Sequence, residues 1–355
     1  MDLTEWLLRR AVPCAFVVTA IGGTGARLAV ERGLRERGWR QAPSPAEADL
    51  LVVCGPGDVE FDGMLDRVWA QLPGPRARVR VPFPEKAGEV LEGARADLLD
   101  ITAQRRDADE RDRAARERAE AEDGEDMPGG LPMADRAEDR DGLKLDRLHL
   151  TLGPALPDWP AGLSLRMTVQ GDVVQEAQVR LVGARDGSSF WDAAHADDLS
   201  RAGAACALDS AQRLLFVAGW PAAALAGRRL RDTLLEPGAD PGLGPALRRW
   251  VRTVRRSRLL RWATGGLGTV GVTAPEELRG DAADRWSRWL ERIEAAAPGW
   301  AAAVPAATNP DTARAALEAV PALVVGQELA SVRLIVASLD PDTEAVGAYA
   351  PEPGT

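Results

Sequence analysis

Apolar residues run without interruption through VPCAFVVTA at 12–20, β-branched and bounded by Pro13 and Gly22, which reads as a buried strand. Gly22, Gly23 and Gly25 follow, and ARLAVERGLRER at 26–37 reads as a helix ending near Gly38. DLLVVC at 49–54 is a second strand, closed by Gly55-Pro56-Gly57. Residues 59–71 read as a helix, PGPR as a turn, ARVRV as a third strand, and Pro84 to Leu99 as another helix. This strand–helix alternation predicts a small parallel α/β domain over residues 1–100.

The pattern then changes. Residues 101–126 carry six basic and ten acidic side chains among alanines, an exposed helix or a flexible linker, and MPGGLPM breaks the run. The boundary falls within residues 101–145. Beyond it LHLTLGP reads as a strand, and GLSLRMTVQ and VVQEAQVRLVG alternate around Gly171-Asp172 as a hairpin. Helical patterns follow at 191–218, broken near Gly203, then after Trp220-Pro221, at 243–262, at 275–297 and at 310–321. LIVASL at 334–339 reads as a last buried strand, and the tail beyond Ala345 as loose. Residues 146–355 thus form a second domain, an opening β-hairpin followed by a helical bundle.

Composition narrows the function. At 355 residues the chain is long enough for two cores. A net charge of -10 argues against a general nucleic-acid binder. Three scattered cysteines, Cys14, Cys54 and Cys206, form no CxxC and fit a reducing compartment. The opening MDLTEWLLRRAVPCAFVVTAIGG does not read as a signal peptide, and no window reaches the ~18 uncharged apolar residues of a membrane span. A cytoplasmic protein is expected, peripheral to a membrane at most.

Candidate chemistry is sparse. The GGTG at Gly22–Gly25 lacks the remainder of a dinucleotide fingerprint and the Lys-Ser/Thr of a P-loop, so it reads as a tight turn rather than a phosphate cradle. Cys54 has no identifiable base and reads as core, as do Cys14 and Cys206. His149 and His195 are the only histidines and lie in distant segments, too few for a zinc site without other ligands. The acid pairs Asp197-Asp198 and Glu276-Glu277 have no defined partner. One stretch is unusual: Arg248, Arg249, Arg252, Arg255, Arg256, Arg258 and Arg261 place seven positive charges in fourteen residues with no acid among them, interleaved with Trp250, Val251, Val254, Leu259 and Leu260. It is either a solvated helix face or a contact for anionic lipid or an acidic partner.

Two families are resembled. SPAEADLLVVCGPGDVEFDGMLDRVWAQLPGPRARV is similar to a strand–turn–helix segment of the small, cluster-bearing subunit of respiratory complex I and the membrane-bound nickel-iron hydrogenases, with Trp69, Gln71, Leu72, Pro73, Pro75 and Arg76 following that family's "YDQMPEP"-like phrase. VRVPFPEKAGEVLEGA resembles its later "V-x-G-C-P-P-x-P-E-A-L" segment. From about residue 146 the chain resembles the large subunit of the same group, through DRLHLTLGPALP, LRMTVQGDVVQEAQV, TGGLGTV and VRLIVASLDPDTEAV. The resemblance implies a fused pair: an α/β N-terminal domain with a flavodoxin-like parallel sheet, a charged linker, and an α+β, mainly helical domain like the hydrogenase large subunit.

The departures bear on chemistry. An iron–sulfur cluster needs soft ligands at fixed positions. The family's early cysteine pair falls near Gly22–Gly25 and its later cysteine near Phe83, where no thiol stands. The terminal cysteine positions of the large subunit hold Asp342 and Ala345, Cys206 has no CxxC partner, and the quinone-side histidine falls at Ala155 or Leu156. The expectation is a degenerate fusion without metal or other cofactor and without catalytic residues. It would be a structural subunit of a membrane-associated complex I, hydrogenase or antiporter-related assembly, peripheral on the inner face of the cell membrane. Its partners would be protein subunits, antiporter-like integral ones among them, and the arginine run its contact. Two alternatives stand beside this: an assembly or regulatory factor, and an enzyme with unrelated chemistry in the former active-site cleft.

Overall fold

The computed structural model describes residues 10–122, 136–138, 144–183, 187–193, 199–236, 238, 242–295 and 309–347. Strand β1 (Cys14–Thr19) is buried along its whole length because it has neighbours on both edges and helices on both faces. It pairs in parallel with β2 (Arg40–Gln41) and β3 (Leu50–Cys54), and β4 (Ala77–Val81) pairs in parallel with β3, giving the order β2-β1-β3-β4. Helices α1 (Thr24–Glu36) and α3 (Ala87–Leu99) bring Val30, Leu34 and Leu91 onto the face carrying Val17 and Val52. Helix α2 (Val59–Gln71) lays Phe61 and Leu65 on the other face, against Phe16, Val18 and Val53. Asp58 starts α2 by accepting from the Phe61 amide at 2.9 Å.

The charged block 101–126 is helical as far as described: α4 (Ile101–Glu122). Its first turns are tied to the sheet layer. The Arg76 guanidinium forks onto Asp107 at 3.0 and 2.9 Å, and the Arg76 amide donates to Gln104 at 2.8 Å. Arg76 also stacks on Trp69, 4.0 Å from the ring centroid.

A second sheet follows, fully antiparallel, in the order β5 (Arg136–Glu138), β6 (Lys144–Leu152), β7 (Leu163–Gln170), β8 (Val173–Leu181). The expected hairpin turns at Gly171-Asp172. Helices complete the region: α5 (Phe190–Ala193), α6 (Leu199–Val217), α7 (Pro221–Leu235), α8 (Leu243–Arg255), α9 (Arg258–Thr264), α10 (Ala282–Ala295), α11 (Pro310–Val324) and α12 (Leu329–Leu339). Helix α6 is central, packed by α7, α10 and α12. The chain is therefore a parallel-sheet N-terminal region followed by a mostly helical C-terminal region. Among the described residues no helix is long and apolar enough to cross a membrane.

Four expectations need correction. LIVASL is not a strand but the end of α12. Ile335, Val336 and Leu339 face the hairpin core while Ala337 and Leu334 face the α6 core, so the helix is apolar all round and its period is hidden. The helix expected over 243–262 is two, because Ser257 is extended and caps α9 by accepting from the Leu260 amide at 3.2 Å. Helix α6 runs through Gly203, where burial of Ala202, Ala204 and Ala205 outweighs the glycine cost of ~1 kcal/mol. The chain is also not loose immediately after Ala345, since Val346 is fully buried in the hairpin core.

Gly22 and Gly23 form a tight turn, with Thr24 and Gly25 already in the first turn of α1, and its tightness has a specific cause. A Cβ on Gly23 would lie 2.3 Å from the Cys54 carbonyl oxygen, and one on Gly55 would lie 2.7 Å from Gly23 Cα. The loops after β1 and β3 thus touch backbone to backbone, tied by the Ala20 amide donating to the Cys54 carbonyl at 2.8 Å. Gly23→Ala is expected to lower unfolding stability by roughly 1–3 kcal/mol through overpacking. Gly57→Ala, with open space around it, should change stability by no more than about 0.5 kcal/mol. Urea unfolding of the two variants checks this.

Candidate functional site: an ionic junction and its cleft

The C-terminal ends of β1 and β3 are where an open parallel sheet presents its ligands. Here they face the helices of the C-terminal region, and what fills the junction is charge. Arg27 on α1 forks onto Asp209 on α6, NH1 to Oδ1 at 3.1 Å and NH2 to Oδ2 at 2.6 Å, and also donates to Glu31 at 3.0 Å. Arg231 on α7 donates to the same two acids, Asp209 at 2.6 Å and Glu31 at 2.9 Å, and to its neighbour Asp232. Arg228, one turn earlier, reaches Asp158 at 2.7 Å and Gln212 at 2.6 Å, stacks on Phe216, and bonds Gln41 of β2. Arg35 pairs with Asp232, and Arg213 with Asp340 at 2.7 Å.

Five guanidiniums, of Arg27, Arg35, Arg213, Arg228 and Arg231, thus meet five carboxylates, of Glu31, Asp158, Asp209, Asp232 and Asp340. Arg228, Arg231, Glu31 and Asp209 are 2% exposed or less. Burial by itself would raise the carboxyls of Glu31 and Asp209. The guanidiniums around them outweigh it and hold both well below the usual carboxylate range, Glu31 chiefly through Arg228 and Asp209 chiefly through Arg27. Asp158 and Asp340 are the only non-glycine residues with positive φ among the described residues, at 54° and 39°, and each ends in one of these ion pairs. Left-handed backbone is tolerated better by Asp than by most residues, but it is still held by its surroundings.

Beside the network lies a small cleft walled by Trp159, Trp191 and the segment Asp340–Glu344. Glu344 bridges two helix starts: Oε1 accepts from the Thr24 amide at 2.9 Å and Oε2 from the Phe190 amide at 3.1 Å. The chain's own carboxylate therefore occupies the N-terminus of α1, the place at which a phosphate would be held. Asp342 accepts from the Ser189 hydroxyl at 2.6 Å and from the Glu344 amide at 3.1 Å. Burial pushes its carboxyl up to about 6, against the Ser189 hydrogen bond that lowers it.

The residues singled out from sequence sort clearly. Cys54 is fully buried at the end of β3, Cys14 is buried in β1, and Cys206 lines the cleft; burial raises all three thiols, so none has the lowered pKa of a nucleophile or ligand. His149 is exposed on β6, with Nδ1 3.3 Å from the hydroxyl of its cross-strand partner Thr168, and is not part of the cleft. His195 and Asp197-Asp198 lie outside the described residues. Glu276 and Glu277 are exposed in a short 3-10 turn (Glu276–Leu278). Among the described residues no group of three or more His, Cys, Asp or Glu side chains is placed to hold a metal ion. An iron–sulfur or nickel–iron centre does not fit the donors present: the acids of the junction are already held by arginines, amides and a hydroxyl, and no thiol stands in a group of three or more potential ligands among the described residues.

The arginine run lies elsewhere, on α8 and α9. Leu247, Trp250, Val251 and Val254 turn inward, and the Trp250 indole donates to the Ala223 carbonyl at 2.9 Å. Arg249, Arg252, Arg256, Arg258 and Arg261 are exposed, and Arg255 pairs with Glu294 at 2.7 Å.

The network itself was not found from sequence. A signal existed in AGAACALDSAQRLLFV, where Asp209 and Arg213 sit one turn apart in an otherwise small and apolar helix, and in the matching i,i+4 pair Arg27 and Glu31.

Asp209→Ala removes one of the two buried carboxylates shared by Arg27 and Arg231, leaving an uncompensated buried positive charge, and is expected to cost about 3–5 kcal/mol in urea unfolding. Asp66→Ala, which removes a surface partner of Arg78, should cost no more than about 1 kcal/mol. Asp342 carries a pH signature. Its folded pKa of about 6 lies above the ordinary value of 3.8, so the folded state holds the proton more tightly. Asp342 therefore lowers stability as pH rises from about 4 to about 6, and its full cost is present above that window. The wild-type minus Asp342→Asn difference in unfolding free energy should fall across this window, by at most ~1.4 kcal/mol per pH unit, and be flat above it. A difference that rises with pH would contradict the assignment.

Comparison of the sequence with protein-family models and with curated proteins finds no match to either.

Proposed function

We propose that the chain is a cofactor-free structural subunit of a membrane-associated assembly related to complex I, the membrane-bound hydrogenases and ion-translocating antiporter complexes. In this reading it is a fusion of small- and large-subunit equivalents, with a flavodoxin-like first domain and a hydrogenase-large-subunit-like second one. Its task is to bind or gate integral subunits without passing electrons.

One observation carries the reading. The resemblance marks two stretches as former ligand segments of two different subunits, Gly22–Gly25 and Asp342–Ala345. They lie 320 residues apart and meet through the Thr24 amide and Glu344. The third marked position adjoins them: a Cβ on Gly25 would lie 2.9 Å from Phe190 and 3.1 Å from Pro84, the neighbour of Phe83. Three segments picked on sequence likeness alone therefore converge on one place, the junction of the two halves. In a metal-bearing pair, thiolates would close that place. Here the Glu344 carboxylate closes it on the Thr24 and Phe190 amides, beside the arginine–acid network that keeps the two halves docked.

The test is affinity purification of the tagged chain from gently solubilised membranes of its native host, with quantitative mass spectrometry. Stoichiometric recovery with antiporter-like integral subunits is the expected result. Recovery without such partners would overturn the proposal, and substoichiometric, growth-phase-dependent recovery would replace it with an assembly or regulatory role.

A further inference from the structure

We infer that α9 and the adjoining end of α8 form a docking ridge for an anionic phospholipid bilayer, with Trp262 and Leu259 as the inserting residues and the surrounding arginines as the phosphate contacts. The inference extends the peripheral-membrane part of the reading above, but its chemistry is that of the isolated chain and a lipid surface.

Trp250, Val251, Val254 and Leu260 of this stretch are buried in the core. Leu259 and Trp262 behave differently. They are 72% and 81% exposed, among the most exposed large apolar side chains described. Spaced three apart, they share one side of α9, opposite the buried Leu260 and Thr264. The break at Ser257 makes this possible: it ends α8 and starts a short helix whose apolar pair points away from the core.

The charge around the pair is of one sign. Arg258 and Arg261 immediately precede the two apolar residues, and Arg256 and Arg252 extend the basic surface back along α8. Among the described residues, Arg255 is the one arginine of the run with a carboxylate partner, Glu294. Positive charge without a carboxylate is dense here, in six of the seven arginines within fourteen residues, against a net charge of -10 for the chain. Protruding Trp and Leu flanked by Arg are what the interfacial zone of a bilayer accommodates: the indole sits at headgroup depth, and guanidiniums bind lipid phosphates while the surface potential draws them in. An acidic protein surface satisfies the arginines but gives two isolated, protruding apolar side chains no matching pocket by itself.

Flotation of the purified full-length chain with extruded vesicles tests this. Vesicles of phosphatidylcholine mixed with phosphatidylglycerol should carry the protein, at least about tenfold more strongly than phosphatidylcholine alone, and added salt should release it. The double variant L259S/W262S and the double variant R256E/R258E should each reduce flotation by about tenfold or more while unfolding in urea like the wild type, since all four side chains are exposed. Absence of wild-type flotation on the anionic vesicles overturns the inference, as does flotation untouched by both variants. Retention on immobilised polyglutamate without flotation assigns the ridge to an acidic protein partner and overturns it equally. Because no other subunit is present, failure here leaves the assembly reading standing, and failure of the membrane purification leaves this one standing.

Discussion

Arg27 and Asp209 hold this molecule in one arrangement. They lie on α1 and α6, in the two halves of the chain, and neither has enough water around it to stay charged alone. An ionised group deep in protein is costly unless it is paired and its remaining hydrogen-bonding capacity is used. The fork between the two satisfies that condition only when α1 is seated against α6. Arg231 and Glu31 add a second crossing, and Arg228 ties β2, α6 and the left-handed corner at Asp158 into the same lattice. The network need not be the largest stabilising contribution, since apolar residues of similar volume could do as well. What it does is make any other seating of the two halves expensive.

The cleft follows from this. With five arginines committed to five acids, the carboxylates next along the chain, Asp342 and Glu344, are left to satisfy backbone amides and Ser189. Glu344 thereby neutralises the positive end of α1, and the glycine loop behind it is closed by the contact of Gly23 with the β3 loop. A parallel sheet's usual anion site is thus filled from within. Asp342 sits in the same pocket with no arginine partner, and burial dominates its titration, whereas Glu31 and Asp209, each ringed by several guanidiniums, are held down.

Much of the first domain was legible because its strands are short apolar runs punctuated by glycine and proline, and its helices carry one buried face each. The hairpin was equally legible from alternation around Gly171. Sequence pattern failed where two cores share one element. Helix α12 is buried on opposite faces by different clusters, so its residues show neither a helical stripe nor a turn signal, and a β-branched run was read as a strand. Pattern also failed at Ser257, where a single cap splits what looks like one amphipathic helix. The junction was illegible for another reason. Its charges are each ordinary within their own helices, an Arg-Glu pair here and an Asp-Arg pair there, and only the pairing of α1 with α6 and α7 makes them a unit. The basic ridge was visible as composition, but its inserting residues were not, because sequence alone does not separate the exposed Leu259 from the buried Leu260 beside it.

The two unusual charge arrangements are therefore opposite solutions to one composition. Nearly all of the chain's cations are arginine, whose planar, weakly hydrated guanidinium suits both buried bidentate pairing and phosphate recognition. At the junction, five arginines are matched by five acids and fix how the halves meet. On α8 and α9 they are left unmatched, beside two apolar side chains that gain nothing from water. Under the proposed role these are complementary demands: a subunit that has no metal centre to organise its interior needs a rigid junction, and one that works against a membrane needs a face whose partner is external. Sequence reading merges the two, since an arginine at helical spacing looks the same in either. What separates them is whether a carboxylate stands within reach, and that is decided by how the helices pack.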